Sequence, residues 1–180
     1  MIPTEILKNE HKVILMVLEL AEKEIASIQN TRKINAEKIE KMVDFFKNFA
    51  DTYHHAKEEK HLFVKMNATG VPTDSGPIAV MLKEHEEARK MVKSVAQAIQ
   101  AAKIGSSTAI RAIKENLSSY IELLRSHIKK EDFILYSLAD NLFTEEDQKA
   151  LLEEFEEVQA KEIGEGFYEK YNQLAHELAN

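Results

Sequence analysis

Apolar residues recur every third or fourth position through most of this chain, the period of a helix with one buried face. Leu7, His11, Ile14, Leu15 and Leu18 share one such stripe, and Phe46, Ala50, His54, Glu58, His61 and Leu62 share a second. Met81, Leu82, His85, Ala88, Val92 and Val95 form a third, and Tyr120, Leu123, Leu124, His127, Glu131, Ile134, Leu135 and Leu138 a fourth. Breaks fall at Gly70, Pro72, Gly76 and Pro77, at Gly105-Ser106-Ser107, and at Gly164 and Gly166. A softer one runs from Asn30 to Asn35, where Asn35 can cap the second helix. The pattern predicts long helices over roughly 4–29, 36–67, 77–103 and 108–140. Thr144-Glu-Glu-Asp147 reads as a capping box that opens a fifth helix to about 162, followed by a short sixth over about 167–178. Four long helices, each with one apolar stripe and joined by short loops, bury those stripes most simply as an antiparallel four-helix bundle.

Composition narrows the picture. Five glycines and three prolines are too few for the turns of a β-sandwich or barrel. No cysteine is present, which removes disulfides, thiolate metal ligands and thiol nucleophiles and agrees with a cytoplasmic setting. A net charge of −7 argues against nucleic acid or an anionic membrane as the main partner. The N-terminal residues have no basic start followed by an apolar run, and no later stretch is apolar enough to span a bilayer, so neither signal peptide nor membrane span is expected.

Each of the four stripes carries a histidine: His11, His54, His85 and His127. Two also carry a glutamate one turn later, Glu58 after His54 and Glu131 after His127. That i, i+4 spacing puts both side chains on one face, about 6 Å apart along the axis, so both reach one object in the interior. A buried unpaired imidazole or carboxylate costs roughly 1–3 kcal/mol or more. Mutual hydrogen bonding satisfies any single core histidine, but a metal centre satisfies all six groups at once.

The chain also repeats itself. A shift of 73 residues lays His54, Lys57, Glu58 and Leu62 on His127, Lys130, Glu131 and Leu135, and a shift of 74 lays Glu10-His11 on Glu84-His85. The two halves thus face each other across a pseudo-twofold axis, which suits two metals bridged by two carboxylates. Imidazole with carboxylate and no thiolate suits iron, manganese or zinc. Bridging carboxylates in a helical bundle put iron first, and zinc, which usually takes a single four-coordinate site, ranks with manganese behind it.

These residues resemble the hemerythrin-like family, the HHE cation-binding domain, from about residue 5 to 140, through Glu-His11, His54-His-x-Lys-Glu58, Glu-His85 and His127-Ile-x-Lys-Glu131. The resemblance implies an up-down-up-down bundle over residues 1–143 and two non-haem iron ions bridged by an oxo or hydroxo group and two carboxylates. The ligands carry over onto His11, His54, Glu58, His85, His127 and Glu131. Oxygen-carrying members supply a fifth histidine one turn along the third helix, but here Met81 and Arg89 flank His85 at that spacing. Either a position is left open for a small ligand, or another residue fills it, with His61 the best candidate because it follows Glu58 by one turn. His55 lies about 100° round the helix and reads as a rim residue. Oxygen carriers use an acid at the position of Asp132, but Glu131 lies on the stripe and repeats Glu58, so Glu131 is preferred. Tyr120, two turns before His127 on its face, either donates to a bound oxygen species or packs, with packing preferred, and Met16, Met81 and Met91 read as core fillers.

Residues 144–180 fall outside the motif as a C-terminal helical extension. Their apolar side, with Phe155, Phe167 and Tyr171, either caps the bundle or pairs with a second copy in a homodimer. The expected function is binding of a small diatomic or peroxide ligand (O₂, NO or peroxide) at an open iron position, in sensing, storage or detoxification. The alternatives are a di-iron enzyme for peroxide disproportionation, NO reduction or Fe(II) oxidation, or an iron donor for iron–sulfur repair. Relatives with that last role bring an N-terminal cysteine pair, which this chain lacks.

Overall fold

The computed structural model describes residues 2–158, 164 and 166–179, and among these there is no strand. Helix α1 spans Pro3–Thr31, α2 residues 36–68, α3 Gly76–Lys103, α4 residues 107–142, α5 Glu145–Glu157 and α6 Phe167–Ala179. The ends have local causes. The Asn35 side chain accepts a hydrogen bond from Lys38 N at 3.1 Å, and Ser106 accepts one from Ala109 N at 3.3 Å, so each satisfies an otherwise unpaired first-turn donor. Thr144 and Asp147 exchange such bonds reciprocally at 3.1 Å, as the capping box requires. Gly105, at φ +89°, makes the left-handed reversal between α3 and α4. The part of the predicted fifth helix beyond residue 158 lies outside the described residues.

The four long helices pack in a closed ring, α1 on α4, α4 on α3, α3 on α2 and α2 back on α1. Their buried residues form two apolar clusters. The larger holds Val13 to Ile28 of α1, the start of α2, the second half of α3 and the first half of α4. The smaller holds Leu7, Leu62, Phe63, Met66, Met81, Leu135 and Tyr136, closed off by Leu151 and Phe155 of α5. On α1, α2 and α3 a histidine falls between the residues of one cluster and those of the other, and on α4 His127 comes one residue before Ile128, the last member of the larger cluster there. A polar layer therefore divides the core into two.

Helix α6 lies on α1 and α2 at the larger cluster. The Tyr171 ring centroid is 6.0 Å from that of Phe45, and its hydroxyl donates to Asp44 Oδ2 at 3.0 Å. Tyr168 and Phe167 cover Phe49 and Tyr53. Burying a side chain of that size contributes roughly 1.5–3 kcal/mol, which is enough to hold a short helix in place.

Three stretches of the long helices are wound as π-helix: Phe46–His55, Glu58–Leu62 and Glu131–Leu135. The last two are related by the 73-residue repeat, and both begin at the glutamate of the motif. π-Turns are uncommon in helices and concentrate at functional sites.

Candidate metal centre

In the polar layer, His11, His54, His55, His85 and His127 point inward with Glu58 and Glu131, and none is more than 2% exposed. They form two groups in which the ligand-type atoms lie within 4.8 Å of one another: His11, His54 and Glu131 in one, His55, Glu58, His85 and His127 in the other. The carboxylates join the groups. Glu131 Oε2 lies 3.2 Å from His11 Nε2, while its Oε1 lies 3.0 Å from His127 Nε2. Glu58 Oε2 lies 3.7 Å from His54 Nε2 and 3.5 Å from His85 Nε2.

Whether these residues fit a metal is tested by their hydrogen bonding. His54 Nε2, Glu58 Oε2 and both oxygens of Glu131 are sealed from solvent and make no hydrogen bond. The approaches just described bring them near charge but not into hydrogen-bond geometry. Four orphaned acceptor-type atoms around one small volume are costly in a folded protein unless a cation is bound there. Oxygen and imidazole nitrogen donors without sulfur fit a transition metal of the iron or manganese kind.

The outer nitrogens complete the arrangement. Nδ1 of His54 donates to Glu10 at 2.9 Å, and Nδ1 of His127 to Glu84 at 2.8 Å. Nδ1 of His11 donates to Asp132 at 2.8 Å, and Nδ1 of His85 to Glu59 at 2.7 Å. In the neutral form that ligation requires, a donating Nδ1 leaves the lone pair on Nε2 facing the interior; without a metal, the Nε2 atoms of His85 and His127 share a hydrogen bond at 3.0 Å. Lys57 clamps Glu10, and Lys130 clamps Glu84. All of this obeys the internal repeat: Glu10, His11, His54, Lys57 and Glu59 correspond to Glu84, His85, His127, Lys130 and Asp132. The supporting acids were missed in the sequence although the repeat carried them. Glu10 precedes His11 in the chain yet serves His54 on the next helix.

Charge in the metal-free cluster is unevenly held. Burial pushes the His54 imidazole down to about 4, with the neighbouring His11 adding to the effect. Burial alone would do the same to His11 and His127. Asp132 and Glu131 outweigh it at His11, which rises to about 9, and Glu131 and Glu84 outweigh it at His127, which rises to about 10. Glu58 is pushed well above the usual carboxylate range by burial and by Glu131, whereas His127 and His11 hold Glu131 well below it against burial. Two protonated imidazoles thus stand in for the positive charge that the cluster demands.

Two sequence expectations need correction. His61 is not brought into either group; its Nδ1 lies 2.9 Å from Glu154 on α5, at the partly exposed edge of the fold. His55, read as a rim residue, is 2% exposed and stacks on His85 with ring centroids 3.7 Å apart, and its Nδ1 lies 3.4 Å from Asp51. The cause is the π-helical winding. A turn closed by i→i+5 bonds advances less per residue than the roughly 100° of an α-helix. His54 and His55 both face inward, and His61 comes round too far out. The fifth imidazole comes from α2 rather than from α3.

Two breaks in the pseudo-symmetry fall among the inward side chains. His55 corresponds to Ile128, and Phe63 to Tyr136. Three imidazoles therefore stand on one side and two on the other, and on the two-imidazole side the Tyr136 hydroxyl donates to Glu58 Oε1 at 2.6 Å and lies 3.4 Å from His11 Nε2. Burial, with Glu58 and Glu131 nearby, raises the Tyr136 hydroxyl well above its ordinary range and keeps it protonated.

Comparison with known proteins agrees with this geometry. The family profile described as the hemerythrin HHE cation binding domain matches residues 2–139. Uncharacterized proteins of Mycobacterium bovis and of two strains of Mycobacterium tuberculosis are each 23% identical over 172 residues, covering 95% of this chain and 67% of the relative. No solved structure gives a significant match. Among the described residues no helix is long and apolar enough to cross a membrane.

Proposed function

The chain belongs to the hemerythrin HHE cation-binding family, and from that premise we propose that it is a cytoplasmic non-haem di-iron protein binding O₂, NO or peroxide. The bundle is read as up-down-up-down. One observation carries the proposal: Glu58 Oε2 and both oxygens of Glu131 lie buried at the two histidine groups with no hydrogen bond to satisfy them. Two metals shared by two carboxylates account for that arrangement, and a single four-coordinate metal does not. His11 and His54 would hold one ion and His55, His85 and His127 the other. Bound iron would supply a redox-active centre with an affinity for small oxidants and gases.

The protein's own residues then do three things. Glu10, Glu59, Glu84 and Asp132 orient the imidazoles so that no reorganisation is needed on binding. The two apolar clusters on either side exclude water from the layer. The uneven division of imidazoles leaves the side of His11 and His54 with fewer protein ligands, and Tyr136 holds a proton at its hydroxyl there.

Tyr136 also supports a second reading, an enzyme that disproportionates peroxide, reduces NO or oxidises Fe(II), because such reactions need a proton donor beside the site. Anaerobic loading with ferrous salt, followed by separate exposure to O₂, NO and peroxide, tests both. A saturable spectral change that reverses on degassing supports the binder. Many turnovers of peroxide or NO per chain support the enzyme. An iron-loaded protein whose spectrum ignores all three overturns both.

A further inference from the structure

A cavity of about 580 Å³ opens between α2 and α3 and ends at His55. This is within the range of roughly 300–1,000 Å³ that receives small organic ligands. Phe46, Val92 and Ala96 give it an apolar wall beside polar groups such as Asn48 and Gln97, and Asp51, 3.4 Å from His55, makes its inner end polar, with Tyr120 also on the lining. Tyr120 is 2% exposed and its ring lies against Phe46, 4.6 Å between centroids. Among the described residues its hydroxyl has no hydrogen-bond partner, and it is not one of the polar atoms sealed in the core, so it opens on the cavity.

The internal repeat shows that the polar inner end of the cavity is peculiar to one half of the molecule. Seventy-three residues further on, Asp51 is replaced by Leu124 and His55 by Ile128, both buried apolar residues. The related groove between α1 and α4, about 480 Å³ at Glu22, Ile121 and Arg125, is not lined by either of these two counterparts.

The charges at the inner end select for a neutral ligand. Asp51 is paired with Arg89 at 2.8 Å, and Arg89 is also held by Glu59 and Glu86, so neither charge is left free at the inner end to select an ion. Lys47 and Lys93 at the lining disfavour a cation. A hydroxyl group that donates to the Asp51 carboxylate beside Arg89 and accepts from Tyr120 would use both groups, with an aromatic body filling the space between Phe46 and Val92. We propose that this cavity is a binding site for a neutral aromatic alcohol of one or two rings. The site does not depend on the metal reading, since none of the groups that define its selectivity is a proposed ligand.

Equilibrium dialysis of the full chain, as purified and after iron loading, against β-naphthol and β-methylnaphthalene tests the proposal. The expected result is saturable binding of β-naphthol, about tenfold tighter than its methyl analogue, equivalent to about 1.4 kcal/mol. Tyr120→Phe should abolish most of that preference while leaving β-methylnaphthalene binding as it was. Ala96→Leu, which narrows the cavity, should weaken both probes without changing iron content. Equal affinity for the two probes, tighter binding of β-naphthoate than of β-naphthol, or a preference that survives Tyr120→Phe would overturn it. Binding to the purified chain with no iron retained after loading would uphold the cavity and count against the metal reading alone.

Discussion

His54 donates from Nδ1 to the carboxylate of Glu10, 2.9 Å away on the neighbouring helix, and both residues are 1% exposed. The other oxygen of Glu10 is taken by the buried ammonium of Lys57. One carboxylate thus orients a candidate metal ligand and neutralises a buried cation, and Glu84 does the same for His127 and the partly exposed Lys130.

Glu10→Gln separates these two roles. Loss of the charge behind His54 should weaken iron binding about 10- to 100-fold. It also strands Lys57, at a cost of about 3–5 kcal/mol. Glu10→Gln combined with Lys57→Met should recover most of the stability, measured by denaturant unfolding, and none of the iron affinity. Recovery of both would mean that Glu10 acts on the fold alone.

His55 and His61 should differ sharply. His55→Ala removes a buried imidazole from the three-histidine group and should reduce iron retention after desalting. His61→Ala removes a partly exposed contact to Glu154 and should leave iron content unchanged, with a stability change of about 0–1 kcal/mol. The reverse pattern would return the fifth imidazole to His61.

Metal loading should release protons at pH 7. Against the downward pull of burial, Asp132 and Glu131 hold His11 up at about 9, and Glu131 and Glu84 hold His127 up at about 10. Both are protonated at neutral pH without metal, and ligation requires them neutral. Apparent iron affinity should therefore rise as pH climbs from 7 towards 10. The sign for stability comes from the same shift. A histidine raised in the folded state stabilises fully below the ordinary imidazole range, and that contribution fades as pH rises through about 9 to 10. Metal-free protein should lose stability over that interval and iron-loaded protein should not. Calorimetry in buffers of different ionisation enthalpy reads the protons, and melting curves read the stability.

Helix α6 should be held mainly by Tyr171. Tyr171→Ala opens a cavity beside Phe45 and Phe49 and should cost about 3–5 kcal/mol. Tyr171→Phe loses only the bond to Asp44, about 0.5–1.5 kcal/mol. Denaturant midpoints of the two variants check the ratio.

The helices were legible because their cues are local. The spacing of Leu7, Ile14 and Leu18 and the caps at Asn35, Ser106 and Thr144 are properties of a few neighbouring residues. The inward histidines and glutamates were legible for the same reason, since i, i+4 spacing survives most local variation. His55 and His61 were misread because their directions depend on π-winding, for which no simple sequence cue exists. The roles of Glu59, Glu84 and Asp132 depend on which helix packs against which, a tertiary fact that periodicity does not carry. The repeat at 73 and 74 residues did hold that information, because it preserved acids whose only common feature is the imidazole opposite.

The most direct measurement is iron per chain after anaerobic incubation with excess ferrous salt and desalting, for the unaltered protein and for the His54→Ala, His127→Ala double variant. A centre of two metals shared by Glu58 and Glu131 predicts about two irons in the first and a small fraction of that in the second, with the helical content of both intact. An unaltered protein that retains no iron, or a double variant that retains as much, would contradict it.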